Sequence, residues 1–124
     1  MNKKRPVNLD LSTLKFPPMA IASILHRISG VALFLLMPVM LYILGQSLQS
    51  QETFTTLQQT LNTPLWKIVL WLFGAAIIYH TLAGIRHLLM DFGLGEELHS
   101  GRQSANAVII LSVILTIILG YWIW

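Results

Sequence analysis

Three long apolar stretches, separated by polar ones, run along this chain: about residues 19–45, 64–92 and 104–124. Each is long enough for the roughly 20 residues that carry a helix across a bilayer. "FPP" at Phe16 to Pro18 blocks helix ahead of the first stretch, so Met19 is its expected start. Pro38 lies inside that stretch and is expected to bend it; spanning helices tolerate a proline when neighbours satisfy the freed backbone groups. The polar "QSLQSQETFTTLQQTLNTP" that follows holds a single charge, Glu52, and can form a short surface helix. Asn62 or Thr63 can cap the second stretch, and Pro64 suits its first turn. The pattern predicts an all-α integral membrane protein. It has one anchor domain over 1–124, an N-terminal segment over 1–18 and three transmembrane helices.

Composition supports the same picture. Apolar residues make up 55% of the chain and charged residues 10%, against about 25% charged in soluble domains. A chain of 124 residues is one domain by length, and it has too little polar surface to cover a water-soluble globule. The absence of cysteine excludes disulfides, thiolate metal sites, iron–sulfur ligation and cysteine nucleophiles. "MNKKRPVNLDLSTLKFPP" is basic, but no short apolar core with a small-residue cleavage site follows it. It therefore reads as a retained segment and not as a secretory signal. No basic run with interleaved aromatics suggests nucleic acid as a partner.

Lysine and arginine set the expected direction. Lys3, Lys4, Arg5, Lys15 and Arg27 lie at or before the start of the first span, and Arg86 and Arg102 flank the second connection. Only Lys67 lies near the first connection. The positive-inside rule then places the N-terminus and the second connection in the cytoplasm and the C-terminus on the opposite side. Trp66, Trp71, Tyr121, Trp122 and Trp124 fit an aromatic belt near one interface.

Candidate chemistry is confined to two polar stripes. In the first span Ser23, His26, Arg27 and Gly30 follow the i, i+3, i+4, i+7 spacing of one helical face. In the second, "YHTLAGIRHLLMD" places His80, Ala83, Gly84, His87 and Asp91 on one face. Antiparallel spans bring both stripes into the same half of the membrane, with His80 roughly 10 Å deeper than His87. An ionisable group at the bilayer centre costs at least about 2.5–3.5 kcal/mol, so such groups face protein, water or a cofactor.

For His80 the open choices are axial ligation of haem, proton relay and an interhelical hydrogen bond. Ala83 and Gly84 beside it give room for a flat macrocycle, or equally for close helix packing. His26, Arg27, Arg86 and His87 can hold haem propionates by charge-assisted hydrogen bonds, or can reach toward lipid phosphates. Ser23 and Arg27 can present a hydroxyl and a guanidinium to a quinone carbonyl. Alternatively Ser23 bonds its own backbone and Arg27 marks the membrane boundary. No nucleophile–base constellation, phosphate loop or "HExxH" is present.

"RPVNLDL", "SILHRISG" and "YHTLAGIRHLLMDFG", in this order and with three spans, closely resemble the cytochrome b membrane-anchor family of bacterial succinate dehydrogenase, respiratory complex II. The resemblance implies a subunit of a succinate:quinone oxidoreductase in the bacterial inner membrane. Its partners would be a second three-helix anchor and the flavoprotein and iron–sulfur subunits. It implies a haem b shared with the second anchor, with His80 as an axial iron ligand. His26 and His87 would lie near the propionates, with Arg27, Arg86 and Gly84 in the surroundings. It implies a ubiquinone site formed in part by Ser23 and Arg27, with Ile24 as an apolar wall. Two other readings stay open at this point. One is the anchor of a quinol:fumarate reductase running the reaction backwards. The other is a non-catalytic membrane adaptor whose histidines serve helix packing, which haem content would distinguish.

Overall fold

The computed structural model describes residues 17–124. The N-terminal segment, with "RPVNLDL" and the basic residues Lys3, Lys4, Arg5 and Lys15, lies outside the described residues. Four helices follow in chain order: α1 (Pro18–Gln49), α2 (Gln51–Leu61), α3 (Pro64–Asp91) and α4 (Leu98–Ile123). No strand occurs among the described residues. Three of the helices, α1, α3 and α4, are long and apolar enough to cross a membrane.

Pro18 opens α1, where its missing N–H is one the helix could not pair anyway. The 32 residues of α1 continue through Pro38. At 1.5 Å per residue the helix is about 48 Å long, which exceeds the hydrocarbon core of about 30 Å. The excess is taken up by tilt or by turns that extend past the apolar zone. Ser50 then caps α2 through a reciprocal pair: its hydroxyl accepts from the Thr53 N–H at 3.1 Å, and its own N–H donates to Thr53 Oγ1 at 3.0 Å. The sequence allowed a surface helix here, and the structure forms one against the end of α1.

Pro64 starts α3 as it does α1. The stop of α3 is a two-bond motif: Leu94 N–H donates to the Leu89 carbonyl at 3.0 Å and Gly93 N–H to the Met90 carbonyl at 2.9 Å. Gly93 sits at φ +84°, which a side chain would strain, so glycine at this position ends the helix cheaply. The chain then turns and begins α4 at Leu98, ahead of the apolar stretch. The first turns of α4 thus carry Ser100, Gly101 and Ser104.

α1, α3 and α4 form a bundle in which each touches the other two. The most buried apolar residues are small: Ala22, Ala83 and Ala105, all at 1% exposure or less. No large side chain is fully buried among the described residues. Lipid is as apolar as leucine, so helices in a membrane gain by close backbone approach through small residues and not by hiding large ones. Large apolar residues instead cover the outside, Phe34 and Leu35 on α1 and Ile117 on α4 among them.

Candidate functional site

The polar residues gather where α1 begins and α3 ends. α1 and α3 run antiparallel there, with Ser29 opposite His80 while His26 lies beside His80 and His87. The imidazoles of His26 and His80 stack at 4.1 Å between centroids and 9° between planes. His87 meets the other side of the cluster, its centroid 5.1 Å from that of His26 and its plane tilted by 56°. Three histidines from two helices thus form one cluster.

Hydrogen bonds fix the state of His80. Ser29 Oγ donates to the His26 carbonyl at 2.8 Å, the ordinary back-bond of a serine within a helix. With its single proton committed, that oxygen can only accept from His80 Nδ1, 3.0 Å away. The His26 carbonyl is also 3.3 Å from Nδ1, and a carbonyl never donates. Nδ1 is therefore the donor in both contacts, and in the neutral ring Nε2 is the nitrogen with the lone pair. Neither contact involves Nε2. Gly30 leaves room for the ring: a Cβ there would lie 3.2 Å from His80 Cε1, a tight contact. A Cβ on Gly84 would stand at an ordinary 3.7 Å from His26 Nε2, so its absence leaves open surface beside the cluster.

The two stripes read from spacing are divided by the packing. On α1 the inward face is centred on Ala22, His26 and Ser29. Ser23 is half-buried at its flank, Ile24 is exposed, and Arg27 points outward. An apolar groove of about 390 Å³ starts at Arg27 and continues along Ile28, Val31, Ala32 and Leu35. On α3, His80, Gly84 and His87 stay together, while Asp91 is exposed. Arg86 turns the other way. It is only 6% exposed, and it donates from Nε to Ser104 Oγ at 3.0 Å and from a terminal nitrogen to the Gly101 carbonyl at 3.3 Å. It joins α3 to the first turns of α4 and does not face the histidines.

Three contributors escape a reading by spacing: Ser29, Ser104 and Tyr79. The Tyr79 hydroxyl donates to the Ala22 carbonyl at 2.5 Å and ties α3 to the first turns of α1. The clue for Ser29 was present, since it follows His26 by three positions and shares its face. For Tyr79 and Ser104 the clue is only a hydroxyl within an apolar run.

Residues 1–119 match the family described as "Succinate dehydrogenase/Fumarate reductase transmembrane subunit". The chain is similar to the succinate dehydrogenase cytochrome b556 subunit of Coxiella burnetii, with 50% identity over the full length of both. It is 33% identical to the subunit of the same name from Paracoccus denitrificans, covering 92% of this chain and 88% of that one. The cytochrome b560 subunit of Porphyra purpurea is 31% identical, over 89% of this chain and 90% of that one.

Proposed function

The chain belongs to the succinate dehydrogenase/fumarate reductase transmembrane subunit family, and from that premise we propose that it holds a haem b through His80 and forms part of a ubiquinone-reducing site through Ser23 and Arg27. Its place as a cytochrome b membrane anchor of succinate dehydrogenase, a multi-pass protein of the bacterial inner membrane, follows from the family and the three spanning helices.

The observation that carries the haem reading is the hydrogen bonding of His80 through Nδ1. Both of its hydrogen-bond contacts are through Nδ1, which leaves Nε2 as the donor to iron. Glycine at positions 30 and 84 keeps the adjoining helix surfaces low. This donor set fits a haem site to which His80 would contribute one imidazole and a second three-helix anchor would contribute the other ligand. When bound, the haem supplies a one-electron carrier. His26 and His87, with Arg27 at the same end of the bundle, are the groups that would meet the propionates. Arg86 is assigned to the α3–α4 join instead.

Ser23 and Arg27 lie on the outer flank of α1, where a quinone can arrive from lipid. The apolar groove below Arg27 suits an isoprenoid tail, and Ile24 offers an apolar wall beside the head group. The Ser23 hydroxyl and the Arg27 guanidinium would donate to a carbonyl oxygen and stabilise the negative charge that grows on it as electrons arrive. The electrons originate in succinate oxidation and reach this end through flavin and iron–sulfur centres. Those centres belong to the flavoprotein and iron–sulfur subunits, since this chain has no cysteine. The cytoplasmic side is the natural place for this end, given Arg27, Arg86 and Arg102 there and the positive-inside rule.

The test is a reduced-minus-oxidised optical spectrum of membranes carrying the chain with its co-expressed partner subunits, for wild type and His80→Leu. A low-spin b-type signal in wild type, lost or altered in the assembled variant, is expected. A haem-free wild-type complex would remove the cytochrome reading. An unaltered spectrum in His80→Leu would move the ligand elsewhere, with His87 the next candidate.

A further inference from the structure

We propose that Ser29 is the positioning residue of the haem ligand: its hydroxyl orients the His80 imidazole and sets how strongly Nε2 donates to iron. The inference deepens the reading of His80 as a haem ligand and rests on it.

Ser29 is 8% exposed, one of the few buried polar residues in an otherwise apolar helix. A hydroxyl in that setting needs partners. Ser29 finds one in the His26 carbonyl, and that bond does more than satisfy it. It directs the only proton of the hydroxyl away from α3, so the oxygen lone pairs face His80 Nδ1. The buried hydroxyl of Ser112 on α4 makes a contrast, since it has no hydrogen-bond partner among the described residues. Burial of a serine in this bundle does not by itself produce an interhelical bond; the register of Ser29 with His80 does.

Three contacts then hold the ring. Ser29 accepts from Nδ1, the His26 imidazole covers one face, and the Gly30 backbone lies against Cε1, where a methyl group would already crowd it. At Nδ1 the Ser29 oxygen is the nearer acceptor, 3.0 Å against 3.3 Å for the His26 carbonyl, and this bond acts on the electronics of the ligand. A metal-bound histidine that donates its second N–H to an oxygen acceptor is oriented by that bond and becomes the more basic ligand. A more basic imidazole favours ferric over ferrous iron. Without the Ser29 oxygen only the longer contact to the His26 carbonyl remains, so the ferrous form gains and the midpoint potential rises.

The test uses the assembled complex with all its subunits, comparing wild type, Ser29→Ala, Ser29→Cys and His80→Leu by redox titration of the haem and by its low-spin resonance spectrum. Ser29→Ala is expected to keep the haem and to shift the ferric–ferrous equilibrium toward ferrous by about tenfold, the lower end of the effect of losing an outer partner. For a one-electron couple that is about 59 mV upward. Ser29→Cys retains a weak acceptor and should fall between. Should Ser29→Ala lose its haem, a Ser29→Cys complex that keeps haem with an intermediate potential still supports the role. Equal behaviour of Ala and Cys, whether both unshifted or both haem-free, overturns it in favour of simple packing. An unaltered spectrum in His80→Leu would instead overturn the ligand reading itself, so the two failures are told apart.

Discussion

Where α1 begins and α3 ends, the helices enclose His26, His80 and Ser29, joined by hydrogen bonds and ring stacking, while Arg86 bonds Ser104 on α4. Where α3 begins and α4 ends, the same bundle closes with aromatic groups. Trp71 Nε1 donates to the Thr116 carbonyl at 2.8 Å, and its ring meets Trp124 edge to face at 6.1 Å between centroids. Lys67 Nζ stands 5.9 Å from the Trp124 ring, a cation–π distance. Both ends hold neighbouring helices together. The aromatic end shows that packing needs no imidazole and no buried guanidinium in this chain. The histidine end carries groups that are costly in a membrane; Arg86 there serves the α3–α4 join, and on the proposed function the histidines serve the cofactor.

If the two ends divide the labour in this way, substitutions should divide as well. The largest effect is expected for Arg27→Leu. Removing a donor that stabilises developing charge typically lowers turnover by about 100-fold or more. Succinate-driven quinone reduction by the assembled complex should fall by that order, while reduction of an artificial acceptor by succinate stays near wild type. Arg27 is exposed and joins no helices, so assembly should survive. Equal loss of both activities would point to failed assembly and break the comparison.

Arg86→Met comes next and tests whether everything polar at that end serves electron transfer. It removes two bonds from a charged donor to α4, worth about 1–3 kcal/mol together in a membrane setting. The thermal midpoint of the solubilised complex should drop while the haem spectrum is unchanged. A changed spectrum would return Arg86 to the haem surroundings.

A matched glycine pair is a sharper probe of smaller size. A Cβ at Gly30 comes within 3.2 Å of His80 Cε1, and one at Gly120 within 3.0 Å of Trp71 Nε1. Each alanine overpacks a ring at a cost of roughly 1 kcal/mol or somewhat more. Gly30→Ala should perturb the haem spectrum, and Gly120→Ala should lower stability alone. Identical outcomes from optical spectra and thermal melts of both would erase the distinction between the ends. The smallest effect is expected for Trp71→Phe, which loses one interhelical hydrogen bond of about 0.6 kcal/mol. Quinone reduction per assembled complex should not move; a clear loss there would show that the aromatic end couples to the site.

Much of this protein was legible in the chain before any packing was considered. The three spans follow from runs of apolar residues, and the helix borders from local chemistry. Pro18 and Pro64 fit helix starts, and Gly93 accepts the left-handed backbone that ends α3. The two polar stripes, with His80 as their deepest histidine, were equally visible. Spacing could not say which side of each stripe turns inward. Sequence periodicity fixes the angle between residues on one helix, but it leaves free the rotation of that helix about its own axis. Rotation is set by packing against neighbours. In α1 that packing turned Ser29 and His26 toward α3 and left Arg27 outside; in α3 it sent Arg86 to Ser104 and kept His80 and His87 beside His26. The sequence by itself determined the membrane class, the number of spans and the residue types from which a haem and quinone site can be built. Only the tertiary structure decided which of them meet, because close approach through Ala22, Ala83 and Ala105 sets the register and rotation of the helices that carry them.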